Sequence, residues 1–140
     1  MGIGEAMATS AAGLPAFLLY LVSSLVLVGL FILVYVQVTP QRELTLLRQG
    51  NAAAAVSFGG AVLGFVIPLS QAVAQSHNLL DMALWASIAL LVQIVVFLLA
   101  NLLVGKAGQK IADGDLGAAI FLALTAVAGG MLNAACMTFQ

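Results

Sequence analysis

Charge is nearly missing from this chain, and the places where it is missing decide the fold class. The four Lys/Arg and five Asp/Glu of the 140-residue sequence leave four uncharged runs, Ala6–Gln41, Gln49–Leu80, Met82–Gly105 and Leu116–Gln140. A helix crosses the hydrocarbon core of a bilayer with roughly 20 apolar residues, and each run is long enough. Inside hydrocarbon every backbone N–H and C=O must find a partner within the protein, and a helix provides one for each residue along such a run. The expected fold is therefore an all-α integral membrane protein with four transmembrane helices, forming a single membrane domain over residues 1–140. A content of 64% hydrophobic against 6% charged residues is far outside the range of a soluble domain.

The connections set the boundaries. Pro15 suits the first turn of a first helix over Leu14–Val38, and Thr39-Pro40 ends it, because the residue before a proline is pushed out of the helical region. The next loop carries Arg42, Glu43 and Arg48, and its Leu44, Leu46 and Leu47 suggest a short interfacial turn of helix. Further helices are expected over Ala52–Ala74, Met82–Val104 and Ala118–Phe139, with a Gly-rich loop bearing Lys106 and Lys110 before the last. The first twelve residues are small and nearly neutral; without a positive n-region they do not read as a cleaved signal. All four Lys/Arg fall in the first and third connections, so the positive-inside rule places those loops in the cytoplasm. Both termini and the connection holding His77 are then outside. Tyr20, Tyr35 and Trp85 are consistent with interfacial anchoring, and His77 reads as a solvated loop residue.

The two halves resemble each other. The shift that lays Gly50-Asn51 on Gly114-Asp115 also lays Arg42 on Lys106, Leu47 on Ile111 and Gln37 on Asn101. The expectation is two parallel helical-hairpin repeats, one over about 14–75 and one over about 78–139, related by an axis along the membrane normal.

Two stripes of small and polar residues stand out at three- and four-residue steps. One is Ser57, Gly60, Gly64, Pro68 and Gln71; the other is Thr125, Gly129, Asn133 and Cys136. A shift longer by one residue superposes them. Small residues let helix backbones approach closely, so Gly59, Gly60, Gly64, Pro68, Gly129 and Gly130 read as packing or bend positions. Ser57, Gln71, Gln93, Thr125 and Asn133 have two readings, interhelical hydrogen bonds or the lining of a polar path. Gln93 in particular lies mid-span among Leu91, Val92, Ile94 and Val95, and an amide facing lipid would be costly.

Several function classes lack the residues they need. A net charge of −1 with no cationic cluster gives no nucleic-acid footprint, and one histidine with one cysteine allows neither a multi-histidine metal site nor an intrachain disulfide. No G-x-S-x-G elbow and no carboxylate within a span is found, so neither an enzyme nor a proton relay is expected, and no cofactor.

The residues Asn51-Ala-Ala-Ala-Ala, Gly59-Gly60, Leu63-Gly64-Phe65, Ile67-Pro68-Leu69-Ser70, Ala128-Gly129-Gly130 and the closing Asn133-Ala-Ala-Cys-Met-Thr138 resemble the YjfL-like family. Thr39-Pro40 and Glu43-Leu44 are similar too. These are small bacterial inner-membrane proteins classed as a domain of unknown function. The resemblance implies an inner-membrane location and a doubled helical hairpin. It implies no activity and carries over no catalytic or binding residues.

Two functions are consistent with these features. One is a homo-oligomeric small channel or transporter-like protein with Gln71, Gln93, Asn133 and Thr125 along a polar path. Four helices fill their own core, so such a path would form between subunits. The other is a structural or adaptor protein whose cytoplasmic Arg42, Arg48, Lys106 and Lys110 face lipid headgroups or a protein partner in the membrane or cytoplasm. Amides around a water-filled cavity would favour the first; a dry interior would favour the second.

Overall fold

The computed structural model describes residues 2–39 and 43–137. Seven helices are found among them: α1 (Ile3–Ala12), α2 (Leu14–Val38), α3 (Glu43–Arg48), α4 (Ala52–Gln75), α5 (Leu79–Val104), α6 (Ala107–Ala112) and α7 (Leu116–Cys136). Four spans are long and apolar enough to cross a membrane: α1 with α2, α4, α5 and α7. The short helix α3 occupies the loop where three leucines suggested one. The expectation for the last helix reached Phe139, and positions 138–140 lie outside the described residues.

Two elements were not anticipated. The Gly-rich third connection holds a full turn and a half of helix, α6, entered through left-handed backbone at Gly105 and Lys106 (φ +68° and +52°). At the other end of the chain, α1 runs almost directly into α2, because Gly13 keeps a helical backbone (φ −82°, ψ −10°). The break between them falls at Gly13, two residues before Pro15, which has no N–H to donate to the carbonyl of Ala11. The 36 residues from Ile3 to Val38 would extend about 54 Å at 1.5 Å per residue, well beyond a hydrocarbon core of about 30 Å.

The caps explain where α4 and α7 begin. Gly50 and Gly114 both turn with φ near +80° (80° and 81°). Each is followed by a side-chain cap: Asn51 Oδ1 accepts from Ala54 N, and Asp115 Oδ1 accepts from Ala118 N. The turns before them also match, with Asn51 N donating to Leu46 O and Asp115 N donating to Lys110 O. At the opposite end Asn78 Oδ1 caps α5 through Asp81 N, while Asp81 Oδ2 accepts from His77 N, a reciprocal cap of the first turn.

The centre of the bundle is α4, which makes its most extensive contact with the parallel helix α7; α5 packs antiparallel across both. At the end with the basic loops, the core is built from Ala53, Ala54, Ala100, Ala107 and Ala119 around Ile111 and Leu122. Further along, Phe31 and Tyr35 of α2 join Phe65 and Phe97 in an aromatic cluster: Phe31 stacks on Phe65 at 4.7 Å and Tyr35 meets Phe97 edge-on at 4.9 Å. Tyr35 is thus 1% exposed, a core residue and not the interfacial anchor its position suggested. Without a hydrophobic drive between helices in lipid, close van der Waals packing of this kind holds the spans together.

Candidate functional site

The point of closest approach lies where α4 crosses α7, and a proline helps to make it. Pro68 sits inside α4 and is buried. Its missing N–H frees the carbonyl of Gly64, four residues earlier. Gly130 of α7 lies directly on that carbonyl, so that a methyl group there would overlap the Gly64 oxygen. A methyl group on Gly64 would in turn overlap the Ala126 carbonyl and lie 2.9 Å from Gln93 Nε2, and one on Gly60 would overlap Ala123. The two backbones touch because neither carries a side chain at the crossing.

Two amides lock α5 onto this pair. Gln93 Nε2 donates to the backbone oxygen of Ala126 at 3.1 Å, and Asn133 Nδ2 donates to the backbone oxygen of Ala89 at 3.3 Å. The first bond runs from α5 to α7 and the second from α7 to α5. Both side chains are buried, and donating to a carbonyl across a helix interface is how such amides avoid the cost of facing lipid. The void beside Gln93 measures about 10 Å³ and is lined by Phe31, Tyr35, Ser57, Phe97 and Leu122 among others.

The remaining candidates do not converge. Ser57 and Gln93 share the small void; Asn133 lies instead along an open groove of about 370 Å³ with Trp85, Gly129 and Cys136. Gln71 and Thr125 are half-buried and line neither. Of the glycines, Gly129 packs on Val96, whose methyl groups would meet an added carbon at 2.9 Å, whereas Gly59 has open space around it. The buried face of α7 runs through Ala119, Leu122, Ala126, Gly130 and Asn133, one residue round from the polar stripe, with Cys136 exposed. Backbone approach selects that face, and Asn133 is the residue common to both.

The cations border the opposite end. Arg48 and Lys106 are exposed, and Lys110 Nζ donates to Val104 O at 3.0 Å, satisfying a carbonyl at the C-terminus of α5. Arg42 lies outside the described residues. Asn51 carries a role that its sequence position did not announce: besides capping α4, its Nδ2 donates to Ile111 O and Ala112 O of α6 at 3.1 and 3.3 Å. One side chain thereby ties the two basic connections together. The Asp115 carboxylate in the matching position has no donor with which to return the contact.

A family model described as Domain of Unknown Function (DUF350) matches residues 9–137, which takes in α2 through α7 with both basic connections. The chain belongs to this family. Among its relatives is the UPF0719 inner membrane protein YjfL of Escherichia coli K12, 37% identical over 126 residues that cover 90% of this chain and 96% of the relative. The protein of the same name from Escherichia coli O157:H7 matches equally, at 37% identity over the same coverage. No solved structure matches the chain. For a member of this family the crossing of α4 and α7 falls wholly inside the matched region, as do Gln93, Asn133 and Asn51.

Proposed function

We propose that this chain is a structural or adaptor protein of the bacterial inner membrane, without enzymatic activity and without a conduit through the protomer. The observation that carries this reading is the use of the two mid-bundle amides. Gln93 and Asn133 both direct their donors at backbone carbonyls of neighbouring helices, and the void beside Gln93 measures only about 10 Å³. A hydrated path needs polar groups turned toward continuous space. The inner-membrane location is supported by the name of the Escherichia coli relative and by the four membrane-length spans.

In this reading the basic connections face the cytoplasm, where each exposed cation near an anionic headgroup contributes about 1 kcal/mol, and both termini face outward. The paired Gly50-Asn51 and Gly114-Asp115 caps, with their matched turns, support two hairpins of common descent. The outer half of α2 offers Phe17, Leu18, Leu21 and Leu25 to its surroundings, a face that lipid and a second copy of the chain would cover equally well.

Reconstitution in liposomes tests the central claim: ion and small-solute flux should equal that of empty liposomes. A second reading, a path between copies, draws on the open groove beside Asn133. Flux that disappears on Asn133→Leu would favour it and overturn the first. Orientation is tested with the native Cys136, exposed at the same end as His77. A membrane-impermeant maleimide should label it from the periplasmic side of intact spheroplasts, and labelling only after lysis would reverse the topology.

A further inference from the structure

The void between α2, α4, α5 and α7 is small, but two of the groups that line it have unmet hydrogen-bonding capacity. Ser57 Oγ and Gln93 Oε1 are fully enclosed and have no hydrogen-bond partner among the protein groups. Both residues line the void, and they are 2% and 3% exposed. The orientation of the Gln93 amide follows from its other contact: the Ala126 carbonyl accepts only from a donor, so Nε2 faces α7 and Oε1 is left over. Ser57 also differs from four other serines of the chain. Ser24, Ser70, Ser76 and Ser87 each donate to a backbone oxygen three or four residues back, at 2.7, 2.7, 3.1 and 2.7 Å. Ser57 does not make that bond.

We infer that this void is a binding site for a single water molecule, which accepts from the Ser57 hydroxyl on α4 and donates to Gln93 Oε1 on α5. A water needs about 10–15 Å³ of such space and two to four polar partners. The void, at about 10 Å³, holds one molecule and no chain of them. The chemistry excludes a hard cation, which takes about six oxygen ligands where two are on offer. It also excludes an anion, because no cationic side chain lines the void and Gln93 turns an oxygen to it. Of the remaining walls, Phe31, Phe97, Ala61 and Leu122 are apolar and Tyr35 adds a phenol ring. The water completes a relay of contacts from α4 through Gln93 to the Ala126 carbonyl of α7, so all three core helices share one polar junction.

The inference goes beyond the proposed function and fails separately from it, since one enclosed water conducts nothing. The test is a structure of the full chain in lipid nanodiscs at a resolution that shows ordered water, for the wild type, Ser57→Ala and Gln93→Met. The wild type should show a solvent peak within about 2.6–3.2 Å of both Ser57 Oγ and Gln93 Oε1, and the peak should be lost in each variant. A wild-type map with no peak, and with the Ser57 hydroxyl turned back to the Ala53 carbonyl, would overturn the assignment. A peak that persists unchanged in Ser57→Ala would overturn it as well. Should both variants fail to fold, the wild-type map alone decides.

Discussion

Helices α2 and α5 open the two halves of the chain, are almost equal in length and are both strongly apolar, yet they are used in different ways. Helix α5 is buried along its whole course through Met82, Ala86, Ala89, Gln93, Phe97 and Ala100, a face of three alanines interleaved with one amide and two larger apolar side chains. Helix α2 is buried only at Phe31 and Tyr35, near its end at the basic connections. Only 6% of the most apolar stretch of the α1–α2 span is buried, against 22% for α5. The difference is one of side-chain size. Alanines at helical spacing let α5 lie against α4 and α7, whereas α2 offers leucine and valine almost everywhere and attaches by one aromatic cluster. Between lipid and protein such side chains have no strong preference, so bulky apolar faces stay outside and small faces go in.

That contrast can be broken at the crossing on which α5 rests. Gly130→Leu should be the most damaging substitution, because its side chain has to displace the Gly64 backbone and not merely a flexible neighbour. Little folded protein should survive detergent extraction, as judged by size-exclusion chromatography; a wild-type profile would show that α4 and α7 do not touch there. Next comes the anchor of α2. Phe31→Ala removes the ring stacked on Phe65 and should cost about 3 kcal/mol, at the lower end of the range for deleting a buried aromatic. Amide exchange should rise along α2 while α5 stays protected, and uniform loosening of both helices would contradict the separation drawn between them.

Smaller effects test the loops and the lipid face. Asn51→Ala loses the cap of α4 and the donor to α6, and a lowering of about 1 kcal/mol in thermal stability is expected, while Asn51→Asp keeps the cap and should lose less. Equal losses would mean that the cap carries nothing and the bond to α6 carries the whole effect. At the bottom of the scale, Gly29→Ala on α2 and Gly59→Ala on α4 meet open space and should change stability by less than about 0.5 kcal/mol. A large loss at Gly29 would reveal a partner seated on α2.

The span boundaries were legible because they depend on local chemistry. Pro15, Thr39-Pro40 and the charged connections mark the ends of helices whatever they pack against, and the first helix matches Leu14–Val38 residue for residue. The short helices were harder to read. The leucines beside Arg48 suggested α3, but α6 lies in a segment rich in glycine and lysine, where the left-handed turn at Gly105-Lys106 and the cover of Ile111 produce the helix. At the candidate site, Gly60, Gly64, Pro68 and Asn133 could be picked out as small or polar residues at helical spacing. Gln71, Thr125 and Cys136 share that spacing but not the burial of the core, because polarity in a stripe does not say which way the stripe faces. Tyr35 was misplaced for the same reason, since an interfacial depth is compatible with either lipid or core.

By itself the sequence determined that this chain belongs in a membrane, that it has four spans apolar enough to cross one, and which connections separate them. Those properties follow from the cost of placing charge in hydrocarbon and from what proline does to its own backbone, and both act residue by residue. The tertiary structure alone decided which face of each helix is inside. In water the polar face of a helix announces the outside, but in lipid both faces are apolar, and that signal is lost. What selects the inner face is whether two backbones fit together, as Gly64 and Gly130 do over the carbonyl that Pro68 sets free, and fit is a property of a pair of helices.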